Sequence, residues 1–373
     1  MRLEREIEHG PLRAETLTGG REVIDRLAPA WRQLCAEGPC DEPFYRPEWI
    51  AAWYDAFGAG ARLRLVAVRS GDRLRAVLPL VEGWSRLRGI PVRMLRGAAN
   101  VHSCRFDVVH GTGDAEEAGR ALWRELQRAG GFEVLEIPDV PEGGLAERML
   151  AWAREDGHPT GRWESMRTPF VSLPGRGGSF EEMLERRTTA KFRANLRRRR
   201  RKLEEKGALR FERIERADPA VLRAFYDLER SGWKGEKGTA IGCDLATRSF
   251  YDRVAAWADG QRCLSLYALR LGDRPVAMHF GLTWGGRYFL PKPAFDESHR
   301  ECSPGQLLVH EVLRDCVERG LREFDFLGPW MEWKGDWTEE VRPHGWCYVF
   351  RRGPIGVALH AAKFRIAAWV RGK

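Results

Sequence analysis

The chain has 373 residues, enough for two domains that each bury a core of their own. Its hydrophobic fraction of 43% is ordinary for a water-soluble protein, and no stretch approaches the roughly 18 apolar residues of a membrane span. The formal charge of +9 is local: ten Arg or Lys residues and no acid lie between Arg186 and Lys202, which leaves −1 for the rest.

The opening residues, MRLEREIEHG, lack the apolar centre of a signal peptide, so a cytoplasmic location is expected. The eight cysteines are scattered without a Cys-x-x-Cys pair, and the nine histidines form no His-x-x-x-His group. Neither a disulfide framework nor a metal site is expected.

In chain order, the first clear element is a hairpin, Leu63 to Pro79, LRLVAVRSGDRLRAVLP. It recurs at Leu264 to Phe280 as LSLYALRLGDRPVAMHF, and eight of the seventeen positions agree, including Gly71/Gly272 and Asp72/Asp273. Each copy leads through an irregular stretch to a helical pattern, Ala115–Ala129 or Gln306–Arg319. A strand with an embedded acid comes next, Phe132–Ile137 with Glu136 or Glu323–Leu327 with Asp325. This order predicts a duplicated α/β unit. The polar turn Asn100-Val-His-Ser-Cys-Arg-Phe-Asp107 lies after the first hairpin; Asn100, His102, Ser103 and Asp107 either face a ligand or bond locally.

Between the copies, Phe180–Lys206 predicts one basic helix, capped by Ser179 and stopped by Gly207. Phe192, Leu196 and Leu203 form a stripe that can dock on a core while Lys191, Arg193 and Arg197 project elsewhere. Ten unopposed cations ask for an anion, and phosphate suits the planar guanidinium fork. A nucleotide or coenzyme, an anionic lipid or sugar-phosphate, and RNA all qualify, and peripheral contact with a membrane stays open. The helix is expected as a linker over 171–210, between domains spanning 1–170 and 211–373, beside a cleft.

The second half carries the sharper chemistry. His279 alternates with Met278 and Phe280 in the hairpin strand. A short strand, Arg287–Leu290, precedes an irregular stretch and then Ser303-Pro304-Gly305-Gln306-Leu307, which reads as a helix start whose free N–H groups form an anion site. Asp325 sits among large apolar residues and must be paired or change its pKa. Trp330, Trp333 and Trp337 surround Lys334 as either a packing loop or a binding wall.

Several of these segments resemble one family. Phe44-Tyr-Arg-Pro-Glu-Trp, Gly232-Trp-Lys-Gly-Glu-Lys-Gly-Thr-Ala, Tyr288 through Ser303-Pro-Gly-Gln-Leu-Leu, and Phe324-Asp-Phe-Leu-Gly-Pro with Trp333-Lys-Gly-Asp-Trp are similar to the CelD-like acyltransferases of the GNAT superfamily. The Fem-type peptidoglycan aminoacyltransferases are more distant relatives. The resemblance implies two tandem GNAT-like domains, each a mixed, mostly antiparallel sheet flanked by helices, an α/β (α+β) fold.

The resemblance further implies transfer of an acyl group from acyl-CoA, acetyl-CoA or longer, to an amine of a small-molecule, sugar or cell-envelope precursor. No metal is implied. The 303–307 turn would hold the donor's pyrophosphate, and the Tyr288–Lys292 backbone would polarise the carbonyl. Asp325 or His279 would relay the proton. Trp233, Lys234, Lys334 and Trp337 would line the acceptor or pantetheine channel. The basic helix would hold an anionic acceptor or a tRNA arm, and the first domain would not bind the donor. Here the usual Gly-rich signature is reduced to Ser-Pro-Gly-Gln, a departure shared with Fem-type relatives, which take aminoacyl-tRNA. An aminoacyl-tRNA-dependent ligase and a non-catalytic nucleic-acid or lipid-binding module are the alternatives.

Overall fold

Residues 11–87 and 89–365 are described by the computed structural model. The chain divides into two compact units, residues 1–165 with 344–373, and residues 166–343. The segment expected as a linker, 171–210, therefore lies inside the second unit, and the last thirty residues join the first. The crossings fall inside strands, where hydrogen bonding rather than linker composition fixes the chain, so no Gly/Pro-rich boundary marks them.

The first unit opens with β1 (Leu12–Gly19), α1 (Arg21–Glu37) and α2 (Pro47–Phe57). Next is an antiparallel meander, β2 (Arg62–Ser70), β3 (Arg73–Leu87) and β4 (Ile90–Gly97), with a two-residue β5 (Val109–His110) on β3. Then come α3 (Ala115–Ala129), β6 (Val134–Pro141), which runs parallel to β4, and α4 (Leu145–Glu155). Strand β7 (Thr160–Ser172) carries the chain into the second unit.

There the order repeats. After α5 (Phe180–Arg187) and α6 (Ala190–Glu204) come β8 (Leu209–Ile214), α7 (Pro219–Arg230), the short α8 (Trp233–Glu236) and α9 (Leu245–Gly260). The meander is β9 (Leu266–Leu271), β10 (Arg274–Trp284) and β11 (Arg287–Phe295). Then α10 (Pro304–Glu318) leads to β12 (Glu323–Asp325), parallel to β11, and α11 (Glu332–Gly335). Strand β13 (Val341–Phe350) returns the chain to the first unit, which α12 (Pro354–His360) extends.

Within the first unit the sheet order is β1-β2-β3-β4-β6-β13; within the second it is β7-β12-β11-β10-β9-β8. Both units thus have strand, two helices, three-strand meander, helix and parallel strand, with an antiparallel strand beyond it. β13 pairs with β6, and β7 with β12. The two related hairpins occupy equivalent places. Gly71 and Gly272 adopt φ of 57° and 58° at their turns, a conformation that a Cβ disfavours.

Two expected elements differ. The basic helix is two helices. Thr188 is extended, and the Thr189 side chain accepts the N–H of Phe192, so a second N-cap starts α6. Ser179 does cap the first, accepting from Glu182. In addition, β11 continues past Leu290 to Phe295 despite Pro291 and Pro293, because β10 still supplies a partner.

A bulge sets Leu290 and Pro291 of β11 opposite the single Gly281 of β10 at this fork. A Cβ on Gly281 would lie 2.1 Å from the Tyr288 hydroxyl, so the strand is open to glycine alone at that point. Gly281→Ala is expected to cost about 1–3 kcal/mol, as overpacking does. Urea denaturation measures this, and a loss within error of zero would show that Tyr288 moves freely.

Candidate functional site

β11 and β12 run side by side for three residue pairs, Arg287/Glu323, Tyr288/Phe324 and Phe289/Asp325, and then part. Beyond Phe289, β11 has left β12 and keeps β10 as its strand partner. The N–H of Asp296 donates to the carbonyl of Val276, and Pro293 lies opposite His279. Alternation then turns the Lys292 N–H toward β10 and the Pro293 nitrogen, which carries no hydrogen, away from it. Within the Tyr288–Lys292 backbone expected to polarise a carbonyl, Pro291 has no N–H either.

The chain leaves this fork through a 3-10 turn, Glu297–Cys302, and enters α10 at Ser303. Ser303 is left-handed, with φ 47° and ψ 57°, an uncommon conformation for serine. Its side chain does not cap the helix. Its N–H is taken by the carbonyl of Arg300, and its own carbonyl accepts from Gln306 and Leu307. Pro304 has no N–H. Of the five residues expected to cradle a diphosphate, only Gly305 keeps a backbone donor without an acceptor among the described residues.

Residues 190–335 match the family model of the acetyltransferase (GNAT) domain. The match begins at the start of α6 and ends with α11, so α6, the β11–β12 fork and the Ser303 turn lie inside it and α5 does not. Both units have the mixed, largely antiparallel sheet flanked by helices that tandem GNAT-like domains share. FemX is similar over 93% of this chain and 100% of its own, at 13% identity and a TM-score of 0.58. The C-terminal domain of a putative lysylphosphatidylglycerol synthetase from Agrobacterium fabrum is similar over 90% and 95%, at 13% identity and 0.53. A conserved protein of unknown function from Bacteroides thetaiotaomicron covers 87% and 97%, at 11% identity and 0.52. These identities speak for the fold alone. Among curated proteins none matches.

The side chains around the Ser303 turn are heavily committed. Gln306 donates through Nε2 to the Trp333 carbonyl and to Asp336, and accepts from Trp337 Nε1. Trp337 is buried edge-on against Phe192 of α6. Lys334 is 5% exposed and donates to the carbonyls of Leu327 and Pro329, at 2.6 and 2.9 Å. It clamps a loop in which Leu327 and Gly328 are both left-handed. Trp337 and Lys334 therefore hold the loop together rather than line a channel. Trp233 and Lys234 start α8, and their side chains lie outside the described residues.

None of the three residues expected at the chemical step presents a free base. Asp325 is fully buried, with Oδ1 accepting the Leu327 N–H and Oδ2 2.9 Å from Arg342. Arg342 also pairs with Glu323 and covers the Phe170 ring. His279 is 1% exposed, its Nδ1 has no partner among the described residues, and burial pushes its pKa down to about 3. Burial likewise pushes the Tyr288 phenol well above its ordinary value.

Five of the ten cations are engaged within the second unit. Arg187 pairs with Glu340, Arg200 with Glu204 and Glu311, and Lys202 with Glu301, while Arg186 donates to the Glu182 carbonyl and Arg193 to those of Thr188 and Glu185. Lys191, Arg197, Arg198 and Arg201 are exposed, with no ion-pair partner among the described residues. They lie opposite the buried Leu196 and Leu203. On the site side of α6, the charge of Arg199 acts on Asp336, whose pKa is raised by burial and by Glu332.

In the first unit, the Asn100 segment is a locally bonded turn. Asn100 Oδ1 accepts the His102 N–H, Ser103 Oγ accepts the Asn100 N–H, and His102 stacks on Phe57. Asp107 caps α4, accepting from Leu145 and Ala146. Sequence reasoning missed Arg342, the Gln306 hub and Thr189; only the last had a local signal, the Thr-Thr pair before an apolar position. Among the described residues, no group of three or more His, Cys, Asp or Glu is arranged to hold a metal ion. No described helix is long and apolar enough to cross a membrane.

The neutral His279 has a measurable consequence. Its folded pKa lies below the ordinary 6.5, so the unfolded chain binds the extra proton between those values. The stability it contributes is complete above about pH 6.5 and falls as the pH drops toward 3. His279→Gln is expected to flatten that acid-side loss in denaturation curves taken at successive pH values. An unchanged slope would show that the ring is protonated in the folded protein.

Proposed function

We propose that the second unit transfers an acyl group from acyl-CoA to an amine of a small-molecule, sugar or cell-envelope precursor. The observation that carries this reading is the parting of β11 from β12 past Phe289, just before the Ser303 turn and inside the stretch matching the GNAT model. An extended acyl carrier can lie in such a fork. The start of α10 favours negative charge, with the Gly305 N–H as donor and the helix dipole behind it. A developing oxyanion would be met by a main-chain amide at this fork, within Tyr288–Lys292.

Proton removal has to fit the committed side chains. Asp325 is held by a guanidinium, His279 is too weak a base, and Tyr288 keeps its proton. In this reading the attacking amine loses its proton to water. Turnover then rises with pH along the ionisation of the acceptor itself.

A second reading is favoured by one observation: Lys191, Arg197, Arg198 and Arg201 form an exposed basic face beside a turn with a single free donor. A carrier held by many phosphates, as in the aminoacyl-tRNA that Fem-type enzymes use, would draw on that face rather than on main-chain amides.

Calorimetry separates the two. Ser303→Asp suits a helix start and a left-handed position, so α10 should remain intact while a phosphate is repelled. Coenzyme A is expected to bind the wild-type protein and to weaken at least tenfold in Ser303→Asp and in Gly305→Trp. Changing Arg197, Arg198 and Arg201 to Gln should leave that affinity within threefold. Absence of coenzyme A binding, with RNA binding that falls steeply with salt and is lost in the triple variant, would overturn the acyl-CoA reading. In that case, aminoacyl transfer from charged tRNA decides between an RNA-dependent ligase and a binding module.

A further inference from the structure

The first unit contains an aromatic box that already holds an ammonium group. Its walls are Trp163 of β7 and Tyr348 of β13, whose rings lie 5.1 Å apart, with Trp346 stacked 6.3 Å from Trp163. Its floor carries a charge, because Tyr348 pairs in register with Glu136 of β6. Into it reaches Lys363, just past α12. The Lys363 Nζ is 3.9 Å from the Tyr348 ring centre, 4.6 Å from that of Trp163 and 4.0 Å from Glu136 Oε2. The lysine and glutamate side chains are only 14% and 12% exposed. Stacked aromatic faces with a carboxylate are the chemistry that selects alkylammonium ions.

The lysine and its box belong to different kinds of structure. The walls stand on paired strands. Lys363 rides on a strap made of a seven-residue helix and a single π-helical turn, Ala361–Arg365. A helix this short has little stability of its own. The strap is seated by a bond between His360 and the Thr160 carbonyl, and by Phe364, whose ring occupies the space above Gly161. Releasing the strap would empty the box without dismantling it.

We propose that this box is a binding site for an alkylammonium ligand, and that Lys363 is an internal stand-in that competes for it. The site rests on the geometry of the first unit alone and holds whether or not the second unit transfers acyl groups.

The test uses the full chain and two probes, tetramethylammonium and n-butylammonium chloride, titrated by calorimetry against sodium chloride at matched ionic strength. Lys363→Ala is expected to bind at least one probe tenfold or more tighter than wild type. Gly161→Ala should give the same gain with every box residue intact, because its Cβ would come within 2.2 Å of the Phe364 ring and unseat the strap. Adding Trp163→Ala to Lys363→Ala should abolish the gain, with circular dichroism reporting the fold of each variant. No gain in any folded Lys363→Ala or Gly161→Ala protein would overturn the proposal. So would a gain that survives Trp163→Ala.

Discussion

Each unit is organised around a parallel strand pair that holds for three residues and then separates. A carboxylate sits at the last pair, and burying it demands a cation. In the second unit Asp325 is met by Arg342, which lies over Phe170 of the neighbouring strand. In the first, Glu136 is met by Arg96 and Lys363, and Lys363 lies over Tyr348 of the neighbouring strand. Acid, cation and aromatic ring recur in the same relation to the fork. Each acid is itself largely buried, so the ion pairs secure the place where the strands part.

The same device has been put to different uses. In the second unit the fork opens onto a left-handed serine and a long helix, and the surrounding side chains are locked by Gln306 and Lys334. A locked frame around a strand fork suits a ligand site, since its ligand must find main-chain groups already in position. In the first unit no comparable turn leads into α3. A self-bonded loop around Asn100 comes after β4 instead, and the cation at its fork arrives on a strap from the chain's far end.

Much of the architecture was legible in the sequence because it is written in local terms. The Gly-Asp turns of the twin hairpins need a left-handed glycine, and the helices after them bury a regular apolar stripe. Thr188-Thr189 was legible in principle as a cap, but the arginine run beyond it reads as one uninterrupted helix. The rest was hidden for physical reasons. The partner of Asp325 lies 17 residues on, beyond a tryptophan-rich loop, and no periodicity links them. Prolines 291 and 293 read as a break, whereas the strand tolerates Pro293 by turning its nitrogen away from β10. Gln306 looked like part of an anion cradle because sequence shows which residues start a helix and not where their side chains go.

The path of the chain bears on how the molecule is made. The strand beside β6 is β13, which leaves the ribosome only after residues 166–343 have been synthesised. The later unit is therefore the earlier one to have all its strands, and the first unit must wait as an incomplete sheet with β6 uncovered until β13 emerges. Vectorial synthesis here runs against the order of domain completion, and exposed strand edges during that interval are where a nascent chain of this design needs protection.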